Sequence, residues 1–237
     1  FVTGTDTDVG KTAVAVAILR DLVAAGRVVG AYKPVASGSA AAAGDPAALW
    51  EAAGRPLSLV DVCPQAFAAA VAPPRAARVA GGAVDERLLR TGFEPWRAAG
   101  GIVVVEGAGG LFSPLGDTTL NADLACDLGL PLVVVDAARL GAIGRTLAVV
   151  RAARAEGLAV AAVVLSHVQP LEGPADDPTS AAGIARDARE ELLRLLGGIP
   201  VAVLPHAADR IVPGLDWAAL AGASRPGRPA GPASAAS

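Results

Sequence analysis

The chain has 237 residues, and 53% of them are apolar. This length and composition are sufficient for a substantial buried core. A formal net charge of -3 and the absence of any run of lysine or arginine argue against a surface that binds nucleic acid or an anionic membrane. No apolar stretch of transmembrane length lacks a charge, glycine or proline, and the chain opens on "FVTG" without a signal-peptide pattern, which predicts a cytoplasmic protein.

Short β-branched runs alternate with longer alanine- and leucine-rich stretches, a pattern typical of strand–helix–strand units around a parallel sheet. The predicted strands are, in chain order, "FVT", "VVGAY", "IVVVE", "LVVVD", "AVAAVVL" and "VAVL". Several are apolar throughout, as expected for strands that helices cover on both faces. The predicted helices span residues 11–25, 46–53, 121–128, 143–156 and 179–196.

These elements predict an α/β fold with an open, mostly parallel sheet and helices on both faces, in one domain over residues 1–222. The remaining residues, 223–237, are rich in proline, glycine, alanine and serine and have no hydrophobic periodicity. Such a composition predicts a disordered tail.

The segment "GTDTDVGKT" lies between the first predicted strand and the first predicted helix. The common phosphate-binding loop has four residues between its first glycine and Gly-Lys-[Ser/Thr], whereas five residues separate Gly4 from Gly10 here. Backbone N–H groups at the helix start can hold phosphate oxygens, Lys11 can reach the terminal phosphates, and the Thr12 hydroxyl can ligate magnesium. A purely structural glycine turn would not need Lys and Thr in this order, so we interpret the segment as a P-loop NTPase-like nucleotide site.

The second predicted strand ends in "YKPVASG", which places Lys33 and Ser37 at the carboxyl edge of the sheet beside the phosphate loop. Ligands of open α/β sheets bind at that edge. A lysine after a strand is ordinary by itself. Two lysines that converge on one edge can together neutralise a transferring phosphoryl group and an acidic acceptor, so we interpret Lys11 and Lys33 as catalytic residues.

The third predicted strand runs into "EGAGG", and an unpaired Glu106 carboxylate at its end would be costly to bury. A magnesium ion held by Thr12 would remove that cost and give Glu106 its role. The alternative is a solvated strand-end glutamate before a flexible turn, although Gly107 and Gly109 permit a ligand to approach the backbone closely. Asp45 is open between two roles, because Asp45 before Pro46 is a good helix cap as well as a candidate metal ligand.

The cysteines and histidines carry no metal or redox motif. Cys63 and Cys126 are far apart and are predicted to be small buried hydrophobic residues. His167 and His206 cannot make a metal site alone, and a loop or core position is the simpler interpretation of each.

Four motifs in chain order, "GTDTDVGKT", "YKPVASG", "GDPAALW" and "VVVEGAGGLFSPL", resemble those of the dethiobiotin synthetases. The likeness covers the chain from residue 1 to about residue 206, and the longer phosphate loop is that family's own form. The resemblance implies ATP-dependent closure of a ureido ring on 7,8-diaminononanoate with CO2, through a carbamate and a carbamic–phosphoric anhydride, to give dethiobiotin, ADP and phosphate. It also implies Mg²⁺ and a homodimer with the substrate bound near the interface.

The resemblance also implies roles for individual residues. The nucleotide-binding set that it implies is Thr7, Asp8, Val9, Gly10, Lys11, Thr12, Glu106, Ser166, Pro205 and His206. The substrate-binding set is Lys33, Ser37, Gly107, Gly109, Gly141 and Gly144, with Lys11, Lys33 and Ser37 as the catalytic residues. The implied magnesium ligands are Thr12, Asp45 and Glu106.

Asp8 stands where a glutamate is common in that family, which is a mild change, and two further segments depart from its pattern. In "RLGAIGRTL" the pair Gly144-Arg145 stands where an Asn-His pair usually opens a helix near the substrate carboxylate, although the helix start still offers N–H groups and Arg145 a charge. In "VVLSHV" Ser166 replaces the asparagine that usually reads adenine. "LPHA", with Pro205 and His206, resembles the loop that covers the base.

Two other functions compete with this interpretation. A glutamine-dependent amide ligase of the cobyrinic acid synthase type needs a further domain with a catalytic cysteine, for which 237 residues are too few. A regulatory P-loop module that binds nucleotide without turnover would not need Lys33 together with Ser37.

Overall fold

The computed structural model describes residues 1–38 and 44–222. Its strands are β1 (Val2–Gly4), β2 (Val29–Tyr32), β3 (Ala36–Ser37), β4 (Ala66–Phe67), β5 (Ile102–Gly110), β6 (Leu132–Ala137), β7 (Val160–Ser166) and β8 (Val201–Leu204). Its helices are α1 (Lys11–Ala24), α2 (Asp45–Ala52), α3 (Leu59–Val62), α4 (Pro73–Val79), α5 (Leu88–Thr91), α6 (Glu94–Ala99), α7 (Asn121–Leu128), α8 (Ala142–Ala155), α9 (Ala181–Leu195) and α10 (Trp217–Ala221). The predicted tail, residues 223–237, lies outside the described residues.

The main sheet has six strands in the order β2-β5-β1-β6-β7-β8, and every neighbouring pair is parallel. β3 and β4 form a separate parallel pair. The chain crosses in one direction from β1 to β2 and in the opposite direction from β5 through β8. Right-handed crossovers therefore put α1 on one face and α7, α8 and α9 on the other. The predicted parallel sheet with helices on both faces is confirmed.

The central strands are buried because helices cover both of their faces. Every residue of β6 is buried, as is every residue of β7 after Val160. α1 packs Val14, Ile18 and Leu22 into the same core, at the spacing of one helix face. Within the described part of the chain, no helix combines the length and the apolar character needed to span a bilayer.

The predicted element boundaries differ from the observed ones by at most two residues except at the end of β5, which runs four residues beyond the predicted Glu106, and α7 matches its predicted span. The sequence analysis missed α3 to α6, α10 and the β3–β4 pair. These elements are two to seven residues long, which is too short for a hydrophobic period to be recognised. Cys63 and Cys126 are only partly buried, so their prediction as buried hydrophobic residues was wrong.

Candidate active site

The phosphate loop connects β1 to α1 at the carboxyl edge of the sheet. Gly10 has φ = 90°, in the left-handed region, and a Cβ at this position would collide with the Ser166 side chain. Val9 is fully buried beneath the loop, and Lys11 is the first residue of α1. The loop is therefore fixed from below by an apolar side chain while its glycine turns the backbone into the helix start.

A buried cluster of polar groups lies beside this loop. Glu106, on β5, is 1% exposed. Its Oε1 accepts hydrogen bonds from Thr12 Oγ1 at 2.8 Å and from Lys33 Nζ at 2.6 Å. Lys33 Nζ also donates to Asp45 Oδ2 at 3.0 Å. Four predicted site residues from four segments of the chain are thus in direct contact.

Asp45 belongs to this cluster and does not cap a helix. It is the first residue of α2, whose cap position is Gly44, and no side chain in the described part of the chain caps that helix start. The Asp45 side chain is 53% exposed and forms an ion pair with Lys33. Of the two roles that the sequence left open, the geometry therefore favours the one at the site.

The cluster suits a hard divalent cation. Glu106 Oε2 is buried and has no hydrogen-bond partner among residues 1–38 and 44–222, which is costly for a carboxylate oxygen. The Thr12 hydroxyl and the Asp45 carboxylate are further oxygen ligands of the kind Mg²⁺ prefers. In residues 1–38 and 44–222, no three His, Cys, Asp or Glu side chains converge as a metal cage. A magnesium ion at this place would complete its shell with phosphate oxygens and water, which is how it binds in nucleotide sites.

Lys11 and Lys33 are the two lysines of the chain, since the other 18 basic residues among its 20 lysines and arginines are arginines. Burial lowers the pKa of Lys11, and attraction to Glu106 offsets this only in part. Burial also opposes the charge of Lys33, but Glu106 and Asp45 together raise its pKa above the ordinary value. Lys33 is therefore held as a cation between two carboxylates.

A cavity of about 610 Å³ opens above these residues. The predicted site residues that line it are Thr7, Asp8, Gly10, Lys11, Thr12, Lys33, Ser37, Asp45, Glu106, Gly107, Gly109, Ser166, Pro205 and His206. Three predicted site residues are not among its lining: Val9, which lies beneath the loop, and Gly141 and Gly144 at the start of α8. The chain therefore brings together the predicted nucleotide, metal and carbamate groups, but not the predicted contacts to the substrate carboxylate.

The glycines after Glu106 have a structural reason that the sequence did not reveal. A Cβ on Gly107 would collide with Asn121, and one on Gly109, which has φ = 75°, would collide with Ser113. Asn121 is fully buried and holds this segment through Ala108, whose N–H it accepts at 3.1 Å and whose carbonyl it bonds at 2.8 Å. Close packing against these side chains therefore accounts for both glycines without a ligand.

The far end of the cavity is formed by the ends of β7 and β8. Ser166 is 3% exposed and faces Gly10 of the phosphate loop. His206 Nδ1 lies 3.2 Å from the His167 carbonyl oxygen. Burial, with a smaller contribution from His206, lowers the pKa of His167, which keeps its imidazole neutral at pH 7.

Arg145 does not line the cavity and pairs with a residue that sequence reasoning missed. Its Nε lies 3.2 Å from each carboxylate oxygen of Asp136, which is fully buried at the end of β6. Asp136 follows four apolar residues of a predicted strand, as Glu106 does. The signal that singled out Glu106 was thus present at Asp136 as well.

The parallel sheet, the phosphate loop between its first strand and first helix, and a strand carboxylate bonded to the threonine of that loop define a P-loop nucleotide-binding protein. Residues 1–209 match the family model described as an AAA domain.

Comparison with known proteins gives the particular family. The chain is 39% identical over 217 residues to the ATP-dependent dethiobiotin synthetase BioD of Rhodopirellula baltica, covering 85% of this chain and 81% of that protein. It is 42% identical over 212 residues to the protein of the same name from Anaeromyxobacter dehalogenans strain 2CP-C, covering 88% and 90%. With that of Caulobacter vibrioides strain NA1000 it shares 41% identity over 184 residues, covering 76% and 83%. The chain belongs to the ATP-dependent dethiobiotin synthetase family of ligases.

Proposed function

We propose that this chain closes the ureido ring of dethiobiotin from 7,8-diaminononanoate, CO2 and ATP, with release of ADP and phosphate. The observation that supports this best is the position of the two lysines, which line one cavity from different segments of the chain. A phosphate cradle needs only Lys11. A second buried cation, Lys33, suits an anionic acceptor such as a carbamate beside the γ-phosphate.

The reaction has three steps. One amine nitrogen of the substrate bonds to the carbon of CO2 and loses a proton, which gives a carbamate. A carbamate oxygen then attacks the γ-phosphorus as the bond to the ADP oxygen breaks, which gives a carbamic–phosphoric anhydride. The neighbouring amine attacks the carbonyl carbon and loses a proton, and phosphate leaves with an oxygen that came from CO2.

Each residue of the cluster has a role in this proposal. Lys11, which donates to the Asp6 carbonyl at 3.2 Å, binds the terminal phosphates, and Lys33 and Ser37 orient the carbamate oxygen toward phosphorus. Mg²⁺, held by Thr12, Asp45 and Glu106, would neutralise charge on the phosphate oxygens. Asp45 and Glu106, which pair with Lys33, are also proposed magnesium ligands. When both carboxylates bind the metal, the Lys33 ammonium is free to bind the carbamate.

We also propose that the active form is a homodimer. The start of α8, a helix of 14 residues, offers free N–H groups that suit the substrate carboxylate. Gly141 and Gly144 at this start do not line the cavity of their own chain. A partner subunit that brings its own α8 to the cavity would supply that contact.

The test of this function is phosphate release measured with each co-substrate omitted in turn. We expect release to require 7,8-diaminononanoate, bicarbonate and MgATP together. Equal release without the diamine or without bicarbonate would contradict ring closure and favour a simple nucleotide-hydrolysing module.

We expect Ser166 to weaken the selection of adenine over other bases. This chain should then accept CTP or GTP more readily than relatives with asparagine at this position. An asparagine amide can donate and accept at the adenine edge at once, whereas a serine hydroxyl reaches less far. Each neutral hydrogen bond contributes about 0.5–1.5 kcal/mol, so losing one or two reduces discrimination for ATP by roughly 3- to 100-fold.

The measurement is kcat/KM for ATP, CTP and GTP in the wild type and in Ser166→Asn, which should restore preference for ATP. Strong native selectivity for ATP that Ser166→Asn leaves unaltered would mean that Ser166 does not read the base. His206→Ala then identifies whether the exposed imidazole at the end of β8 reads adenine instead.

A further inference from the structure

We infer that Asp136 is a positioning residue that fixes the start of the phosphate loop and couples its conformation to the start of α8. Asp136 touches neither the cavity nor the predicted reacting groups. Its carboxylate instead contacts both the phosphate loop, which lines the cavity, and the start of α8, which is predicted to bind the substrate carboxylate. The inference concerns the nucleotide end of the proposed active site and rests on that function only for the identity of the nucleotide.

The phosphate loop is held at its two ends by matching contacts. At its end, Thr12 Oγ1 donates to Glu106 on β5 at 2.8 Å. At its beginning, Thr5 Oγ1 donates to Asp136 Oδ1 at 2.6 Å. β5 and β6 are the two neighbours of β1. Each end of the loop is therefore hydrogen-bonded to a buried carboxylate on a neighbouring strand, Glu106 on β5 or Asp136 on β6. Glu106 also lines the cavity, whereas Asp136 does not. The hydrogen bonds of Asp136 are therefore the basis for assigning its role.

The second half of the Asp136 network reaches α8. Arg145 Nε contacts both carboxylate oxygens, and Thr146 Oγ1 donates to Oδ2 at 3.3 Å. Arg145 also donates to the carbonyl oxygens of Leu140 at 3.2 Å and Ala137 at 3.3 Å. The guanidinium therefore binds the whole β6–α8 connection to the carboxylate that holds Thr5.

These hydrogen bonds fix the orientation of the Asp136 carboxylate in addition to balancing its charge. Asp136 Oδ1 also accepts the N–H of Ala137 at 2.8 Å, so both of its oxygens have donors and its rotamer is fixed. Thr146 is fully buried and Arg145 has a side chain that is 31% exposed, so the network is shielded on the helix side. A displacement of Arg145 must then shift the carboxylate, and with it the hydroxyl that begins the phosphate loop.

The experiment measures the dissociation constant of MgATP by calorimetry, together with the melting temperature, for the full chain and its variants. Asp136→Asn keeps the volume but removes the charge that orients Arg145, and Thr5→Val removes only the link to the loop. We expect each variant to bind MgATP about 3- to 10-fold more weakly. Loss of a negative charge near a polyphosphate would by itself strengthen binding, so weaker binding by Asp136→Asn reports a loss of positioning.

Arg145→Met tests the long-range part, with Arg139→Met as its matched control. Arg139 is an exposed arginine on the same connection, and removing it takes away the same charge without breaking the Asp136 pair. We expect about 3- to 10-fold weaker binding for Arg145→Met and less than about twofold for Arg139→Met. Equal effects of the two substitutions would overturn the coupling.

Wild-type affinity in Asp136→Asn or in Thr5→Val, with only a lower melting temperature, would also overturn the inference, because Asp136 would then act on stability alone. Should Arg145→Met fail to fold, those two variants decide the question. The readout is nucleotide binding, so a failure of ring closure would leave this result interpretable.

Discussion

Lys33→Ala is expected to lower the turnover of ring closure by about 10²-fold or more while MgATP still binds. Lys33 follows β2, whereas the loop proposed to hold the nucleotide lies between β1 and α1. The substitution therefore removes the cation proposed to orient the carbamate and leaves the phosphate cradle unchanged. Turnover is measured as phosphate release at saturating substrates, and nucleotide binding is measured by calorimetry.

Two controls accompany Lys33→Ala. The Glu106 carboxylate loses its buried ion partner in this variant, so the melting temperature must be recorded with and without MgATP. Arg55→Ala removes an exposed cation paired with Glu51 at the end of α2 and should leave turnover within about twofold. Near-normal turnover in Lys33→Ala would remove the basis for assigning Lys33 to the chemistry.

Glu106→Gln is expected to lower turnover and to raise the magnesium concentration needed for half-maximal activity, each by about 10- to 100-fold. The amide oxygen can still accept hydrogen bonds from Thr12 and Lys33, so the fold is retained. The anion that would hold the metal is lost. Magnesium titrations of turnover, at fixed total ATP, measure both effects.

The matched control for this substitution is Glu51→Gln, which makes the same chemical change on an exposed side chain of α2. Its magnesium curve should coincide with that of the wild type. If the curve of Glu106→Gln coincides with it too, Glu106 is not a metal ligand, and its contacts with Thr12 and Lys33 are structural.

The sequence allowed the groups around the phosphate loop to be predicted because a parallel sheet brings the carboxyl ends of its strands to one edge. Knowing that "FVT", "VVGAY" and "IVVVE" are parallel strands is enough to expect Lys11, Lys33 and Glu106 at the same edge of the sheet. In the structure the three residues line one cavity, and Lys33 donates directly to Glu106.

The Asp136 network could not be predicted in the same way. Its contact with Thr5 depends on β6 lying next to β1, and strand order is not encoded in any local pattern. The glycines after Glu106 were interpreted as space for a ligand, yet Asn121 and Ser113 approach them from sequence positions whose distance in space was unknown. Local chemistry identifies candidate groups, but long-range packing decides which of them meet.

The origin of the oxygen atoms in the released phosphate tests the central claim most directly. Wild-type protein is mixed with 7,8-diaminononanoate, MgATP and bicarbonate labelled with ¹³C and ¹⁸O, and both products are analysed by mass spectrometry before the label exchanges with water. Ring closure through a carbamic–phosphoric anhydride predicts ¹³C at the ureido carbon of dethiobiotin and ¹⁸O in the phosphate. Released phosphate that carries no ¹⁸O would contradict it. So would release of unlabelled phosphate at the same rate when 7,8-diaminononanoate is omitted.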